Sequence, residues 1–341
     1  MFIALLLVLA LGCVGFYGAQ GNQFLFGVVI PYAAVIVFIA GFVSRIMAWA
    51  KTPVPYSIPT TAGQQWSLDW VKRSPLDNPS TPVETVGRML LEVLAFRSLF
   101  RNTKVTFHPA GEQMDIDGRV GYSSSKWLWL FAILFHYSFL TVFIRHFRFF
   151  LEPVPVCIQI VEFLDGIMQI GVPRLFQSGV ILAVAAALLL MRRIFDNKVR
   201  YISLLNDYFP LFLILGISLT GIWMRYFTKT DIASVKALTM SLVTLNPAIP
   251  EGVAPIFFLH IFLVSVLLIY FPFSKLMHMG GVFLSPTRNM PNNTRFVRHR
   301  NPWNPPAKFH TYAAYEDDFR DAMVEAGVRV DKMPADAEAE E

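Results

Sequence analysis

The sequence is poor in cysteine, in charged side chains and in glycine. Its two cysteines, Cys13 and Cys157, are too few and too far apart for a disulfide scaffold, a thiolate metal cluster or a CxxCH haem attachment. Charged residues make up 16% of the 341 residues, against roughly 25% in an average soluble domain. The 20 glycines exclude a collagen-like repeat, and the 55% hydrophobic content excludes a disordered chain. These shortages argue against a soluble globule and favour a membrane protein.

Apolar residues are gathered into six blocks that approach the length of about 20 residues needed to cross a bilayer. The blocks cover residues 2–19, 24–47, 127–150, 175–191, 205–227 and 254–279. No Lys or Arg precedes the first block, so the positive region of a cleavable signal is missing and we expect a retained helix. The sequence therefore predicts an all-α membrane protein with six transmembrane helices.

The predicted organisation has five parts. They are an extra N-terminal span at residues 1–20, a span at 24–47, a cytoplasmic insertion at 51–125, a transmembrane core at 127–279 and an extended cytoplasmic tail at 280–341.

Basic residues fall mainly on one side of these spans. If the N-terminus is cytoplasmic, the inner segments contain all 29 Lys and Arg residues except Arg145, Arg148, Arg174, Arg225, Lys229 and Lys236. Short cytoplasmic loops carry an excess of Lys and Arg, so both termini are predicted to be cytoplasmic. The same rule explains the sequence pI of about 9.2 without a nucleic-acid partner.

The two long inner segments have different compositions. In the insertion, Thr81-Pro82-Val83-Glu84 can form a capping box at the start of a helix. Apolar residues then recur at i, i+3, i+4 spacing, which predicts an amphipathic helix lying on the membrane or against a partner. The tail opens rich in Pro, Asn and Arg and ends acidic, a composition that suits a segment ordered by another subunit.

Four of the seven histidines lie within predicted spans, where ionisable side chains are costly and mark candidate functional sites. His136 and His146 are on the third block, and His260 and His278 are on the sixth. In continuous helices, the 18 residues between His260 and His278 make about five whole turns, and each pair shares one broad face. The remaining histidines are expected to be solvated; they are His108, His299 and His310.

The opposite directions of the third and sixth spans place His136 and His278 at the inner ends and His146 and His260 at the outer ends. Two imidazoles at equal depth on facing helices fit the axial positions of a haem iron. The pattern predicts two b-type haems across the bilayer. The helical rise from His260 to His278 would be about 27 Å, whereas the rise from His136 to His146 would be about 15 Å, so the two do not match. Pro272 is expected to kink the sixth helix and reduce the difference.

Residues near the histidines have a cofactor interpretation and a simpler one. Small residues of the fifth span would make room for a porphyrin or would only permit close helix packing; they are Gly216, Ser218, Thr220 and Gly221. Arginines at the outer surface would contact haem propionates or would only extend to the interface; they are Arg145, Arg148 and Arg225.

Two other functions use the same residues. A transporter could employ the membrane histidines as metal or proton sites, although it would normally contain intramembrane carboxylates or broken helices. The predicted spans contain almost no carboxylates, and Asp207 lies at an inner border. A structural anchor for other subunits is the second alternative.

The histidine spacing resembles that of the haem-b-binding gamma subunits of respiratory nitrate reductases. The likeness covers the five spans from Phe24 to Met279. In that family the first histidine of the earlier helix pairs with the last of the later helix, which implies the same two pairs here. The extra first span, the insertion and the tail sequence Phe283-Leu284-Ser285-Pro286-Thr287-Arg288-Asn289 depart from that family. They are similar to the DsrM family, cytochrome b subunits of the sulfite-reduction-associated Dsr membrane complex.

The DsrM resemblance implies electron exchange between menaquinone or menaquinol and a cytoplasmic iron-sulfur subunit similar to heterodisulfide reductase. It also implies a place in dissimilatory sulfate or sulfur metabolism, further membrane and periplasmic Dsr subunits, and a multi-pass location in the bacterial inner membrane. We expect quinol oxidation near the outer haem, and Glu162 and Asp165 are the nearest carboxylates that could accept its protons. The inner segments 51–125 and 280–341 are the expected docking surface of the partner.

Overall fold

The computed structural model describes residues 1–51, 70, 72–108, 118–166, 174–284, 289–293, 297 and 310–332. These residues are mostly helical. The helices are α1 (Phe2–Gly21), α2 (Ile30–Ala50), α3 (Pro82–Ala95), α4 (Arg97–Phe100), α5 (Lys126–His146), α6 (Val156–Asp165), α7 (Gln177–Phe195), α8 (Asn197–Ile202), α9 (Leu205–Tyr226), α10 (Ile232–Val243), α11 (Pro255–Tyr270), α12 (His278–Leu284) and α13 (Tyr312–Glu325). The strands are β1 (Thr103–His108) and β2 (Arg119–Ser124).

Six helical segments are long and apolar enough to cross a membrane, so the predicted fold of six spans is confirmed. They are Phe2–Gly21, Leu25–Ala50, Lys126–Phe149, Gln177–Phe195, Leu205–Tyr226 and Pro255–Phe273. The second begins with a π-helical turn, Leu25–Val29, and the third ends in a short 3₁₀ turn, Phe147–Phe149.

The spans form a bundle in which α5 packs on α7, α7 on α9, and α9 on both α1 and α11, while α2 packs on the far side of α11. Apolar side chains from α1, α9 and α11 form the main buried core, with Leu213 and Phe258 fully enclosed. α5 and α11 are not among the closely packed helix pairs. The two long helices that carry histidines, α5 and α11, therefore do not pack closely on each other.

The first span is an integral part of this bundle. A Cβ atom added at Gly15 would lie 2.7 Å from the ring of Phe262, and one at Gly18 would lie 2.4 Å from the ring of Phe26. Only glycine permits approaches this close, and such small residues allow tight contacts between membrane helices. The N-terminal apolar block thus has a packed place beside α9 and α11.

The sixth span is interrupted, which corrects the expectation of one continuous helix from Ala254 to Met279. α11 ends at Tyr270, and two 3₁₀ turns, Phe271–Phe273 and Lys275–Met277, lead to α12, which begins at His278. Pro272 has no N–H to continue the helix, and Ser274 is extended and caps the following turn through its hydroxyl. His260 and His278 therefore belong to separate helices, and the count of five whole turns does not apply.

The insertion contains the predicted capping box and a hairpin that the sequence analysis did not predict. Thr81 and Glu84 form the reciprocal bonds of the box at the start of α3. Strands β1 and β2 are antiparallel, with Val105 opposite Tyr122. Lys198 donates a hydrogen bond to the Val105 carbonyl, so the hairpin contacts the start of α8. Residues 52–69, 71 and 109–117 of the insertion lie outside the described part of the chain.

The tail is not extended throughout, because α13 occupies part of it. Thr311 caps α13, and Glu316 accepts hydrogen bonds from the backbone N–H groups of Asp331 and Lys332, which closes the chain back on the helix. Nearer the bundle, the backbone N–H of Asn292 donates to the Pro79 carbonyl, and its side-chain amide donates to the Asn78 side-chain oxygen. The tail therefore contacts the insertion. Residues 285–288 of the resemblance motif, and His299, lie outside the described residues.

Two further helices lie between the later spans. α6 lies in the connection between the third and fourth spans. α10 is a short apolar helix that was not predicted, and Asp231 caps it by accepting from the N–H groups of Ala233 and Ser234.

Candidate functional site: two pairs of histidines

The inner pair consists of His136 and His278. Their ring centroids are 6.0 Å apart and their ring planes are 77° apart. His136 is partly buried, whereas His278, at the first residue of α12, is exposed. The break after Tyr270 is what brings His278 to the same level as His136.

The outer pair consists of His146, the last residue of α5, and His260 in the first half of α11. Their ring centroids are 6.4 Å apart and the planes are nearly parallel, at 15°. The structure thus brings together the same partners that topology predicted from the sequence.

All four imidazoles use Nδ1 for a hydrogen bond within the protein. His136 and His146 bond the carbonyls four residues earlier, of Ala132 at 2.7 Å and Val142 at 2.6 Å. The other two contacts join His278 to the Lys275 carbonyl at 2.8 Å and His260 to the Thr220 hydroxyl at 2.9 Å. A histidine that ligates a metal commonly donates its other ring N–H in this way, which fixes the tautomer. The arrangement leaves Nε2 of each ring for a ligand.

The spacing within each pair fits a shared metal ion. A metal–imidazole bond is about 2 Å, and each ring centroid lies about 1.2 Å behind its nitrogen, so two axial imidazoles have centroids roughly 6.4 Å apart. The observed separations of 6.0 and 6.4 Å match that value. Directly stacked rings would lie closer. Together with the lack of close packing between α5 and α11, this spacing fits a metal-centred cofactor held between the histidines of each pair.

The small residues of α9 divide between the two interpretations. A Cβ at Gly216 would meet Val8 and Leu263, and Ser218 bonds the Ile214 carbonyl, so these two serve helix packing. A Cβ at Gly221 would lie 3.4 Å from Cε1 of His260, and Thr220 bonds Nδ1 of the same ring. Half of the group therefore faces the outer pair.

The predicted propionate contacts already have partners. Arg145 forms a 2.6 Å ion pair with Asp165, and Arg148 pairs with Glu162. Arg145 and Arg225 both lie over the ring of Phe176, at 3.6 and 3.9 Å from its centroid. Among the residues that the structure describes, Nε of Arg145 is buried without a hydrogen-bond partner. One donor of this group next to His146 thus remains unused.

The two candidate proton acceptors differ in environment. Asp165 is buried, and it accepts hydrogen bonds from the N–H and the hydroxyl of Ser178 as well as from Arg145. Glu162 is partly exposed and bonds Arg148. Of the two, Glu162 has the greater access to solvent.

No group of three or more His, Cys, Asp and Glu side chains within the described ranges could hold a metal ion. His108 and His310 lie apart from both pairs: His108 ends β1 and His310 lies 3.8 Å from Asp318. Asp207, the border carboxylate, pairs with Lys275 at 2.7 Å.

Comparison with known proteins identifies the family. The sequence model described as nitrate reductase gamma subunit matches residues 121–300, which is more than half of the chain and includes all four histidines. The chain belongs to this family. The resemblance inferred from the histidine spacing is therefore confirmed.

Three relatives show how far the likeness extends. The Hdr-like menaquinol oxidoreductase cytochrome b-like subunit of Archaeoglobus fulgidus is 48% identical over 288 residues, covering 82% of this chain and 84% of the relative. The protein of the same description from Archaeoglobus profundus is 43% identical, covering 81% and 82%. The respiratory nitrate reductase 1 gamma chain of Escherichia coli is 28% identical, covering 49% of this chain and 76% of its own. The two stronger matches agree with the DsrM-like features.

Two residues of the site were missed at the level of sequence. Phe96, in the insertion, contacts His136 with ring centroids 5.0 Å apart, and Phe176 lies between two arginines. Neither has a local sequence signal, because each contact joins elements that are distant along the chain.

Proposed function

We propose that this protein is a membrane di-haem cytochrome b that oxidises menaquinol as part of a larger oxidoreductase complex. The observation that carries the proposal is the presence of two histidine pairs, which join α5 to α12 and to α11, each with the spacing of two imidazoles that share a metal ion. The description of the two Archaeoglobus relatives as menaquinol oxidoreductase cytochrome b-like subunits supports both the haem and the quinol.

In this proposal His136 and His278 hold the inner haem b, and His146 and His260 hold the outer haem b. When bound, each haem supplies a one-electron carrier whose potential depends on its axial ligands and their hydrogen bonds. The protein keeps each Nδ1 bonded, so every ring presents Nε2 in a fixed orientation. Arg145 has one unpaired donor for a propionate, with Arg148 and Arg225 beside it.

Quinol oxidation is proposed at the outer pair. Glu162 is the better proton acceptor of the two predicted carboxylates, because it reaches solvent while both oxygens of Asp165 are occupied. Arg148 holds the Glu162 side chain in place through an ion pair. Asp165 instead fixes Arg145 and the start of α7.

The proposed electron acceptor is a cytoplasmic iron-sulfur subunit similar to heterodisulfide reductase, which would dock on the side of His136 and His278. The partner is needed because no cluster of ligands within the described part of the chain could hold iron and sulfide. The insertion 51–125 and the tail 280–341 are the proposed docking surface, and their described parts contact one another through Asn78 and Asn292. The DsrM resemblance supports the proposal that this complex serves sulfate or sulfur metabolism together with other Dsr subunits.

The visible spectrum of the purified protein tests the proposal. We expect a Soret band and a reducible α band from two haems b per chain, and reduction of both by a menaquinol analogue. The variant His146→Leu should lose one haem and keep the other, while the control His108→Leu should keep both. A protein without chromophore would contradict the proposal and favour a transporter or a structural anchor.

A further inference from the structure

The wall of the inner histidine pair is formed by a residue of the insertion. The ring of Phe96 meets His136 edge-on, with centroids 5.0 Å apart and planes at 80°. Phe135, the preceding residue on α5, flanks the same imidazole at 5.3 Å and 79°. His136 therefore contacts two aromatic rings edge-on in addition to the ring of His278.

Phe96 reaches this position through an unusual backbone. It is the single residue between α3 and α4, and its φ of 49° and ψ of 47° lie in the left-handed region. Residues other than glycine, asparagine and aspartate adopt this conformation rarely, and such outliers persist only where the surroundings enforce them.

Two side chains of α5 enforce the corner. Trp129 donates its indole N–H to the Ala95 carbonyl at 2.7 Å, and Tyr137 donates its hydroxyl to the Leu94 carbonyl at 2.7 Å. These carbonyls belong to the last turn of α3, where intrahelical partners are lacking. Trp129 is seven residues before His136, about two turns along α5, and Tyr137 is the residue after His136. The helix that presents the imidazole therefore also holds Phe96 against it.

Among the described residues of the insertion, no ring equivalent to Phe96 contacts the outer pair. His260 is held by Thr220 and lies within the bundle, and the nearest ring beside His146 other than its partner is Phe149 of the same segment, at 6.0 Å. At the inner end His278 is exposed, so the bundle alone does not enclose the pair.

We propose that Phe96 is a positioning residue for the inner haem ligand His136, and that the α3–α4 corner is held in its left-handed conformation to place that ring. The inference rests on the proposed function, since it concerns the orientation of an axial ligand. It assigns to the insertion a role inside the membrane protein in addition to docking.

Two variants separate the ring from the backbone. Phe96→Ala removes the ring and keeps a side chain in the left-handed conformation, whereas Phe96→Gly removes the ring and relieves the backbone. The angle between axial imidazoles shapes the low-spin ferric EPR signal of a haem. We therefore expect both variants to change the inner-haem EPR signal and to shift its midpoint potential, with the outer haem unchanged. Phe96→Tyr should restore the wild-type values.

The remaining outcomes decide between explanations. Leu245→Gly, which relieves another left-handed residue at φ 57°, is the control and should change neither haem. If Phe96→Ala alters the inner haem and Phe96→Gly does not, backbone strain is the cause and the inference is wrong. Unchanged spectra in both variants would also overturn it. If both variants lose both haems, Phe96→Leu decides: an altered inner signal supports the inference and an unaltered one refutes it. A wild-type protein without haem would refute the proposed function itself.

Discussion

Thr220 illustrates how one hydroxyl acts on a proposed ligand. Its oxygen lies 2.9 Å from Nδ1 of His260 and 2.9 Å from the Gly216 carbonyl, so it can accept from the imidazole and donate to its own helix. A ring N–H that donates to an acceptor makes the opposite nitrogen more basic, and a more basic ligand favours the ferric iron.

The variant Thr220→Val removes this acceptor at nearly constant volume. We expect the outer-haem midpoint potential to rise, because the ferric state loses stabilisation. A hydrogen bond contributes about 0.5–1.5 kcal/mol, which corresponds to roughly 20–65 mV for one electron. A redox titration of the α band measures the shift. Ser218→Ala is the control: the Ser218 hydroxyl bonds the Ile214 carbonyl of its own helix, so its loss should leave both potentials unchanged. An unshifted or lowered outer potential in Thr220→Val would contradict the role of the Thr220 hydroxyl.

Single residues were predictable where their cost is high. A histidine in a span requires an explanation wherever it occurs, so the four imidazoles and their pairing could be inferred from spacing and direction. The role of Thr220 could not, because it depends on the rotation of α9 about its axis, and a stripe of small residues leaves that rotation open. Phe96 was hidden for the same reason, since only the folded insertion brings it to α5.

At the scale of elements, the interruption of the sixth span depends on its contact with α2. Gly41 of α2 faces Pro272, and a Cβ added there would lie 2.7 Å from Cβ of the proline. Since the pyrrolidine ring is rigid and fully buried, α2 or the 3₁₀ turns would have to move.

We expect Gly41→Ala to displace the segment that leads to His278 and to lower the inner-haem content, with the outer haem retained. Overpacking of this kind costs about 1–3 kcal/mol. Haem-to-protein ratio and the thermal midpoint in detergent measure the effect. Gly12→Ala is the matched control: a Cβ at Gly12 would meet no atom within 4 Å, so this variant should have normal haem content and stability. Equal haem content in the two variants would show that the contact with α2 does not hold the interruption in place.

A second prediction at this scale concerns Asp77, which lies in the loop before α3. Its ion pairs connect this loop to Arg97 in α4 and to Arg101, the residue that follows α4. Its carboxylate accepts from Arg97, Arg101 and Ser74, and these bonds hold the pKa of Asp77 well below its ordinary value. We expect Asp77→Asn to increase hydrogen exchange in α3 at neutral pH, by about 1 kcal/mol or less of opening free energy, since partly exposed ion pairs contribute little more.

The pH dependence follows from the direction of the shift. A carboxylate with a lowered pKa stabilises the fold above its unfolded pKa of about 3.9 and loses this effect as pH falls through the folded value. The difference between wild type and Asp77→Asn should therefore be constant from pH 7 to about pH 5 and shrink at lower pH. Asp317→Asn, which removes a pair within α13, should leave α3 exchange unchanged.

Elements with a local signal were predicted, and those held by tertiary contacts were not. Thr81 and Glu84 specify the start of α3 by themselves, and the sequence contained both. The interruption at Pro272 was expected only as a kink, because the extended Ser274 that completes it has no distinctive signature. The hairpin and α13 were not predicted, because short or polar segments have weak periodicity. Tertiary contacts stabilise them: Lys198 bonds Val105 of the hairpin, and Glu316 of α13 accepts from the backbone after the helix.

At the scale of the molecule, the distribution of Lys and Arg predicts that both termini are cytoplasmic. Reporter fusions test the orientation: alkaline phosphatase joined after Lys332 should be inactive, whereas a fusion in the loop after Tyr226 should be active. A fluorescent protein at the same two positions should give the reverse pattern. Activity of the enzyme at Lys332 would invert the proposed inner and outer haems.

The number and approximate limits of the spans followed from hydropathy, since burying apolar length in a bilayer dominates all other preferences. The arrangement of the bundle did not, because the choice of α1 and α9 as neighbours of α11 depends on how rings such as Phe262 fit against glycines. Apolar sequence determines that a helix crosses the membrane, and shape determines where.

The interruption between α11 and α12 also separates the surroundings of the two proposed ligands on the sixth span. His260 takes its hydrogen bond from α9, while His278 takes its own from the irregular link at Lys275. In the proposed di-haem protein, a substitution in α12 would thus retune one redox centre and leave the other at its original voltage. Adaptation to a new quinone and adaptation to a new soluble acceptor would then proceed independently within one polypeptide.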